Sequence, residues 1–277
     1  MGAAPPCSNV AVKSASLGGG SCSVPGDAQS LNAFQQLIAT ARDVVAPFPA
    51  ATLLPFSCGS LGVWGLFDSA CFAVSSAEAT IMDPQQRLVL ECGYEALHAS
   101  GSRRVALDGS LTGVAVGIWS IERYIEGQRE NNQSVHNVTN TLSVCAGRMS
   151  YTFGLHGPSM AVEAACAASL VACHLGVSSL EAGEAEAQLV AGVNILWTPA
   201  AVAGAVYLGM GSPTFRCHTF DASADGYVRA EACAAAVLHG ISAPFVRSME
   251  GVLDSGAVSV CGSAVCQDGK SASLTAP

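Results

Sequence analysis

The sequence predicts an α/β fold, and three observations carry that prediction. Half of the 277 residues are hydrophobic, only 12% are charged and 29 are glycine. This composition suits buried helices and strands, and it is not that of a disordered chain. Short apolar runs alternate along the chain with segments of helical periodicity. The clearest junction is Ser159–Gly183, where the run Met160–Val162 turns at Ala164-Ala165-Cys166 into a helix that carries no Asp, Glu, Lys or Arg until Glu181.

The length allows one large domain or two ordinary ones. A formal net charge of −9 with no basic run argues against nucleic acid as a main partner. The 12 cysteines are scattered, none forms C-x-x-C, and no histidine sits at zinc-finger spacing. No metal site is expected, and the thiols read as free in a reducing compartment. Asn132-Gln-Ser and Asn137-Val-Thr match glycosylation triplets, but without a visible signal peptide they read as chance matches. Val44–Phe67 is uncharged, yet Pro47, Pro49 and Pro55 break it, so no membrane span is expected. Pro6 occupies the position where a myristoylation signal needs Ser or Thr. The expected location is the cytoplasm, with an organelle left open.

Residues 1–8 are rich in Ala and Pro and read as a loose N-terminus ahead of one domain over 9–277. Asn9–Val12 is a short strand candidate. Gly18-Gly19-Gly20 has neither the phosphate-loop pattern nor the dinucleotide fingerprint, so no nucleotide site is expected there. Leu31–Arg42 is helical, with Leu31, Phe34, Leu37, Ile38 and Ala41 on one stripe and Ser30 as N-cap. Asp83-Pro84-Gln85-Gln86 opens the clearest helix. Asp caps it, Pro fits the first turn, and Gln86 stands at the capping-box position. Val89, Cys92, Gly93, Ala96 and Leu97 form its apolar stripe, and Gly101 ends it.

Thr112–Ile118 reads as a strand covered on both faces, Glu122–Asn140 as a polar surface excursion, and Val144–Phe153 as a helix. Gln188–Asn194 is a further buried strand, and Thr198-Pro199 starts a capped helix. In Arg216–Glu231, the charged residues Asp221, Asp225, Arg229 and Glu231 are expected to form a paired, hydrogen-bonded structural cluster. Cys233–His239 and Ala257–Cys261 complete the strands.

The turn at Cys166 carries the chemistry. A strand feeding a helix through small residues places this thiol at a helix N-terminus, where unpaired N–H groups and the dipole favour a thiolate. The same N–H groups suit an oxyanion formed when a thioester is attacked. This is the logic of a nucleophile elbow with cysteine in the serine position. A buried, inert cysteine is the competing reading of any single thiol in so cysteine-rich a chain.

Several segments resemble the β-ketoacyl synthases, the condensing enzymes of fatty-acid and polyketide synthesis. V-E-A-A-C-A-A-S-L-V-A is similar to that family's V-D-T-A-C-S-S-S-L-V-A, with Ala164, Ala167 and Ala168 in place of hydroxyl residues. M-D-P-Q-Q-R-L-V-L-E, C-A-G-R-M-S-Y-T-F-G-L, R-C-H-T-F-D-A-S-A-D-G-Y-V-R-A-E and the final G-S-A-V-C-Q-D-G-K-S-A-S-L-T-A-P resemble further family segments. Ala230 and Ala232 replace family glycines, and Phe215 stands where glycine is common.

The resemblance runs from about residue 9 to Pro277 and implies the N-terminal half of a thiolase-like layered fold. It also implies an acyltransferase in which Cys166 is the nucleophile and its backbone N–H is part of the oxyanion hole. An acyl carrier protein would be the partner, with Arg103-Arg104 as a guess for its docking patch, and a homodimer the assembly. Neither a metal nor a nucleotide cofactor is implied. Two histidines and a lysine of the family lie in the C-terminal half, beyond the segments matched here, and that half would be needed for activity. His174, eight residues after Cys166, is roughly 12 Å along a helix and too far for direct proton transfer. His98, His136, His156, His218 and His239 read as surface or structural groups. The alternatives are a non-catalytic ketosynthase-like scaffold and an inactive truncated fragment. Half of a layered fold should also leave apolar faces bare.

Overall fold

The computed structural model describes residues 15–47, 57–62, 66–120, 139–197, 199–240, 258–267 and 269–270. The elements run β1 (Ala15–Ser23), α1 (Leu31–Ala39), β2 (Val45–Pro47), β3 (Ser57–Gly59), α2 (Ser76–Ile81), α3 (Pro84–Ala99) and α4 (Arg104–Leu107). They continue with β4 (Thr112–Ile118), α5 (Leu142–Phe153), β5 (Ser159–Val162), a 3-10 turn (Ala165–Ala167) and α6 (Ala168–Ala182). Last come β6 (Ala187–Asn194), α7 (Pro199–Tyr207), β7 (Ala232–Gly240) and β8 (Ser259–Val260).

Six strands form one mixed sheet in the order β5-β4-β6-β7-β1-β8, and β2 pairs with β3 separately. β4 runs parallel to both neighbours, with Val114 opposite Ser159 and Leu189. The antiparallel partners β7 and β1 follow on the far side of β6. Side-chain alternation separates the two faces. Val114, Val116, Ile118, Leu189, Ala191 and Val193 pack with Val89, Cys92, Met149 and other residues of α3 and α5. Ala115 and Val190 pack on the other face with Ala172 and Val177 of α6. All seven residues of β4 are buried, as its apolar run predicts.

The α3 helix forms for the reasons legible in its sequence. Asp83 accepts the N–H of Gln85, Pro84 fills the first turn, and the chain leaves through Gly101 at φ +82°. The capping box is not made. The N–H of Asp83 donates to Asn140 Oδ1 at 2.9 Å, while Gln86 donates to the Thr139 carbonyl and accepts from Arg148 Nε. A side chain 57 residues away therefore does the work assigned to Gln86. The predicted stripe Val89, Cys92, Gly93, Ala96, Leu97 is buried, and so are Leu88 and Leu90, because α3 packs on β1, β7 and β6 of the sheet and against α5 beside it.

Gly18-Gly19-Gly20 lies inside β1, a strand the sequence pattern did not reveal. A Cβ on Gly19 would come within 2.4 Å of Ser100 N and 2.6 Å of Ala96 O. The end of α3 presses directly on that strand, and the register with β7 shifts between Leu17 and Gly19. Of the expected strand Ala257–Cys261, Ser259–Val260 is strand and Ala257 lies outside the described residues, and the first helix ends at Ala39 rather than Arg42. The loose residues 1–8, the Asn9–Val12 strand, residues 121–138, Thr198 and the C-terminal L-T-A-P lie outside the described residues.

Ala165–Ala182 is apolar enough in length and composition to cross a membrane, but one side of α6 lies on β4 and β6. On the side turned away from the sheet Leu170 is 75% exposed. Leu31 and Ile38 of α1, Tyr207 of α7, Leu208 and Phe220 are exposed too, as a half-layered fold implies.

On α3, burial pushes the Glu91 carboxyl up to about 7, the Glu95 and Asp68 charges add to the rise, and Arg87 opposes it. A carboxyl whose folded pKa lies above its unfolded value stabilises the fold below about pH 4.5. That contribution is lost as the pH rises through about 7. Melting temperature is therefore expected to fall between pH 5 and 7.5, and Glu91→Gln should flatten the fall by about 3 °C. Parallel curves for the two proteins would show that Glu91 is not the group responsible.

Candidate functional site

Burial sorts the thiols first. Among the eleven cysteines of the described residues, only Cys166, Cys217, Cys261 and Cys266 are exposed. Burial pushes Cys58 up to about 11 and Cys145 up to about 12, and Cys22 and Cys173 are raised for the same reason. Cys233 is raised as well, by its hydrogen bond with Cys92 and then by burial. Such groups stay protonated and shielded. Cys217 accepts the Val228 N–H, and Cys261 lies beside the Ser259 carbonyl. Cys166 alone of the four stands at the start of a long helix.

That position is built by the turn the sequence predicts. β5 ends at Val162, the 3-10 turn spans Ala165–Ala167, and α6 runs to Gly183 in a left-handed cap at φ +74°. Ala165, the residue before the thiol, has φ +46°. This conformation normally falls to glycine, and an alanine held there is strained by about 1–2 kcal/mol. The sharp reversal it produces lifts Cys166 out of the turn, where it is exposed.

Two glycines below the helix let it sit so close. Gly117 of β4 and Gly192 of β6 are opposite one another in register. A Cβ on Gly117 would be 2.5 Å from Ala168 C and from Ser169 N, and one on Gly192 would be 2.6 Å from Ser169 Cβ. The first turn of α6 thus rests on a notch that any side chain would fill. Deeper along the helix, Gly176 repeats the close approach over Val190 and Gln188.

Beyond the notch, at the carboxyl ends of β4 and β6, the loops are bracketed by Glu231. This residue is 2% exposed. Its Oε2 accepts from Ser60 Oγ at 2.9 Å and Leu61 N at 2.7 Å, and its Oε1 accepts from Leu196 N at 3.1 Å. Backbone bonds from Gly59 N to Arg229 O and from Glu231 N to Gly59 O close the same bracket. The Arg229 guanidinium stacks over Trp119 at 4.7 Å and donates to Asn194 Oδ1, while Asn194 Nδ2 donates to Ala230 O.

The expected cluster of Asp221, Asp225, Arg229 and Glu231 does not assemble. Asp221 is fully exposed and, among the described residues, accepts from Ser223 alone, which with the nearby His218 holds its carboxyl below the usual range. Asp225 is exposed, and Glu231 directs its carboxylate to backbone and hydroxyl donors. The four residues are spaced along a loop rather than an element, so no single face gathers them.

Phe215 has φ +53°, which explains why glycine suits its position, whereas Ala230 and Ala232 are not left-handed. Ala230 instead crowds Gly59, where an added Cβ would stand 3.0 Å away. Arg104 donates to the Cys71 carbonyl and covers the Phe153 ring, and both residues of the Arg103-Arg104 pair are exposed. His174 bonds Ser263 Oγ through Nδ1 at 2.9 Å, away from the turn. His239 is buried in β7, where burial lowers its pKa, and His98 and His156 are exposed. His136 lies outside the described residues. Among the described residues no group of three or more His, Cys, Asp or Glu side chains is arranged to hold a metal ion.

The β-ketoacyl synthase N-terminal domain family model matches residues 17–242. The sequence is 37% identical over 217 residues, 76% of this chain, to the highly reducing polyketide synthase fogA of Aspergillus ruber, of which it covers 9%. It is 36% identical over 274 residues to a phenolphthiocerol/phthiocerol polyketide synthase of Mycobacterium tuberculosis, covering 92% of this chain and 14% of that one. The ketosynthase from module 6 of the Bacillus subtilis bacillaene synthase superimposes with a TM-score of 0.81 at 30% identity, over 96% of this chain and 45% of that one. The chain thus spans under half the length of that solved ketosynthase and a small fraction of the synthases it matches.

Proposed function

Because this chain belongs to the β-ketoacyl synthase family, through that family's N-terminal domain, we propose that Cys166 is the thiol that accepts the growing acyl chain. The family is one of condensing acyltransferases, its relatives here are polyketide synthases, and the sheet and helices are those of the N-terminal domain of the thiolase-like fold. The observation that carries the proposal is the seat of Cys166: an exposed thiol, after a left-handed alanine, at the start of a helix lowered onto Gly117 and Gly192.

The proposed chemistry has two steps. Cys166 Sγ, as the thiolate, attacks the carbonyl carbon of an acyl thioester carried by an acyl carrier protein. The oxyanion that forms faces the N–H groups at the start of the helix, among them that of Cys166. Collapse breaks the carrier C–S bond, and the carrier thiol leaves with a proton while the acyl group stays on Sγ. In the second step a malonyl-type thioester loses CO2, and the electron pair of the broken C–C bond becomes an enolate. The enolate carbon attacks the acyl carbon, and Cys166 leaves as a thiolate. By family resemblance, a C-terminal half would supply the two histidines and the lysine that polarise the malonyl group, and the enzyme would act as a homodimer with an acyl carrier partner.

Incubation with a butanoyl pantetheine thioester should add one butanoyl mass to the tryptic peptide containing Cys166. The Cys166→Ala protein should lose more than about 95% of that label. Cys217, Cys261 and Cys266 are exposed as well and serve as internal controls. Labelling shared evenly among them, and unchanged in the alanine variant, would favour the scaffold reading instead.

A further inference from the structure

Cys166 shares its corner of the molecule with a guanidinium platform that the loading step does not use. The placement follows from strand geometry. Gly117 and Gly192 lie under Ala168 and Ser169 on the α6 face of the sheet. Two residues further along β6 is Asn194, which side-chain alternation puts on that same face, and two residues beyond Gly117 is Trp119. Two strand residues advance about 6–7 Å. Cys166 lies two residues before Ala168 in a 3-10 turn, about 4 Å further toward the same strand ends. Trp119, Asn194 and the Arg229 group that joins them therefore lie at the same end of the sheet as the thiol. Trp119 is 42% exposed, so the platform opens outward rather than being sealed in the core.

Its construction is that of a recognition surface. The Asn194 amide is oriented by its bond to Ala230 O, and its oxygen holds the guanidinium over the indole. The guanidinium lies over the indole, and a planar fork of N–H donors is matched to carbonyl and carboxylate oxygens. The indole beside it offers an apolar face to a carbon chain. An acyl group on Cys166, or an extender lying against it, carries its next functional group on C3, two carbons from the thioester carbonyl carbon.

We propose that Arg229, set by Trp119 and Asn194, is a specificity-determining residue that recognises an oxygen on C3 of the thioester substrate. The inference rests on Cys166 being the acyl acceptor. Two substrates carry such an oxygen: a 3-hydroxyacyl chain loaded on Cys166, and the malonyl extender through its carboxylate.

The test compares wild type, Arg229→Met and Arg229→Lys in the full-length enzyme. One arm measures initial rates of Cys166 loading from 3-hydroxybutanoyl and butanoyl pantetheine thioesters. The other measures KM for malonyl thioester by CO2 release. If the acyl chain is the source, Arg229→Met lowers the ratio of 3-hydroxybutanoyl to butanoyl loading about tenfold, with butanoyl loading itself kept within twofold and part of the ratio restored by lysine. If the extender is the source, the loading ratio is unchanged and malonyl KM rises about tenfold. Equal loss of both loading rates marks a purely structural arginine and overturns the proposal, as does no change in either arm. Should wild type fail to load butanoyl at all, the acyl-acceptor reading of Cys166 fails, and this inference falls with it.

Discussion

Gly117→Ala is expected to destabilise the protein by about 3 kcal/mol or more, at or above the upper end of ordinary overpacking, and to slow acyl loading of Cys166 at least tenfold. The added methyl group meets backbone atoms, Ala168 C and Ser169 N at 2.5 Å, and not the tip of a flexible side chain. Backbone cannot rotate away, so α6 must lift from the sheet or β4 must bend. Either movement displaces the turn that presents Cys166 and opens the packing of Ala172 and Val177. Gly147 in α5 is the matching control, because nothing lies within 4 Å of its Cβ position. Gly147→Ala should gain about 0.5–1 kcal/mol from helix propensity alone and leave loading intact. Denaturant unfolding of both variants, with loading rates, decides the matter. A Gly117→Ala protein as stable as wild type would show that the helix does not rest on the notch.

Glu231→Leu is expected to cost about 4 kcal/mol, the sum of two or three buried donors left without acceptors at about 1–3 kcal/mol each. The N–H groups of Leu61 and Leu196 point at the carboxylate from buried residues, and leucine offers them nothing. Glu231→Gln should cost about half as much, since its single carbonyl oxygen can still accept on one side while its NH2 faces a donor on the other. The ordering Leu worse than Gln worse than wild type in urea midpoint is the diagnostic result. Equal losses in the two variants would mean that the charge, and not the acceptor count, is what the site requires. Because Arg229 is two residues away on the same bracket, Glu231→Leu should also blunt the discrimination assigned to Arg229.

Much of the molecule is legible locally. The N-caps Ser30 and Asp83, the left-handed glycines Gly101 and Gly183, and the fully apolar β4 fix their elements through neighbours a few residues away. Their boundaries were accordingly readable to within a few residues. The strand over Gly18–Gly20 was not, because a glycine run carries no alternation. Its place is set by Ser100 and Ala96, which lie about eighty residues later. The failed capping box at Gln86 and the dispersed acidic loop share that cause: partners distant in sequence outcompete the local ones.

Residue type at short spacing was enough for the α/β order, the strand–turn–helix at Cys166 and the family resemblance. Which thiols are open and which are buried, and how α6 seats on Gly117 and Gly192, emerged only from the folded chain. Folding alone brought Glu231 to Ser60 across 171 residues and set Arg229 over Trp119. Caps and periodicity act within a turn or two of the chain. Burial, close approach and the satisfaction of buried donors depend instead on which distant segments the sheet brings together.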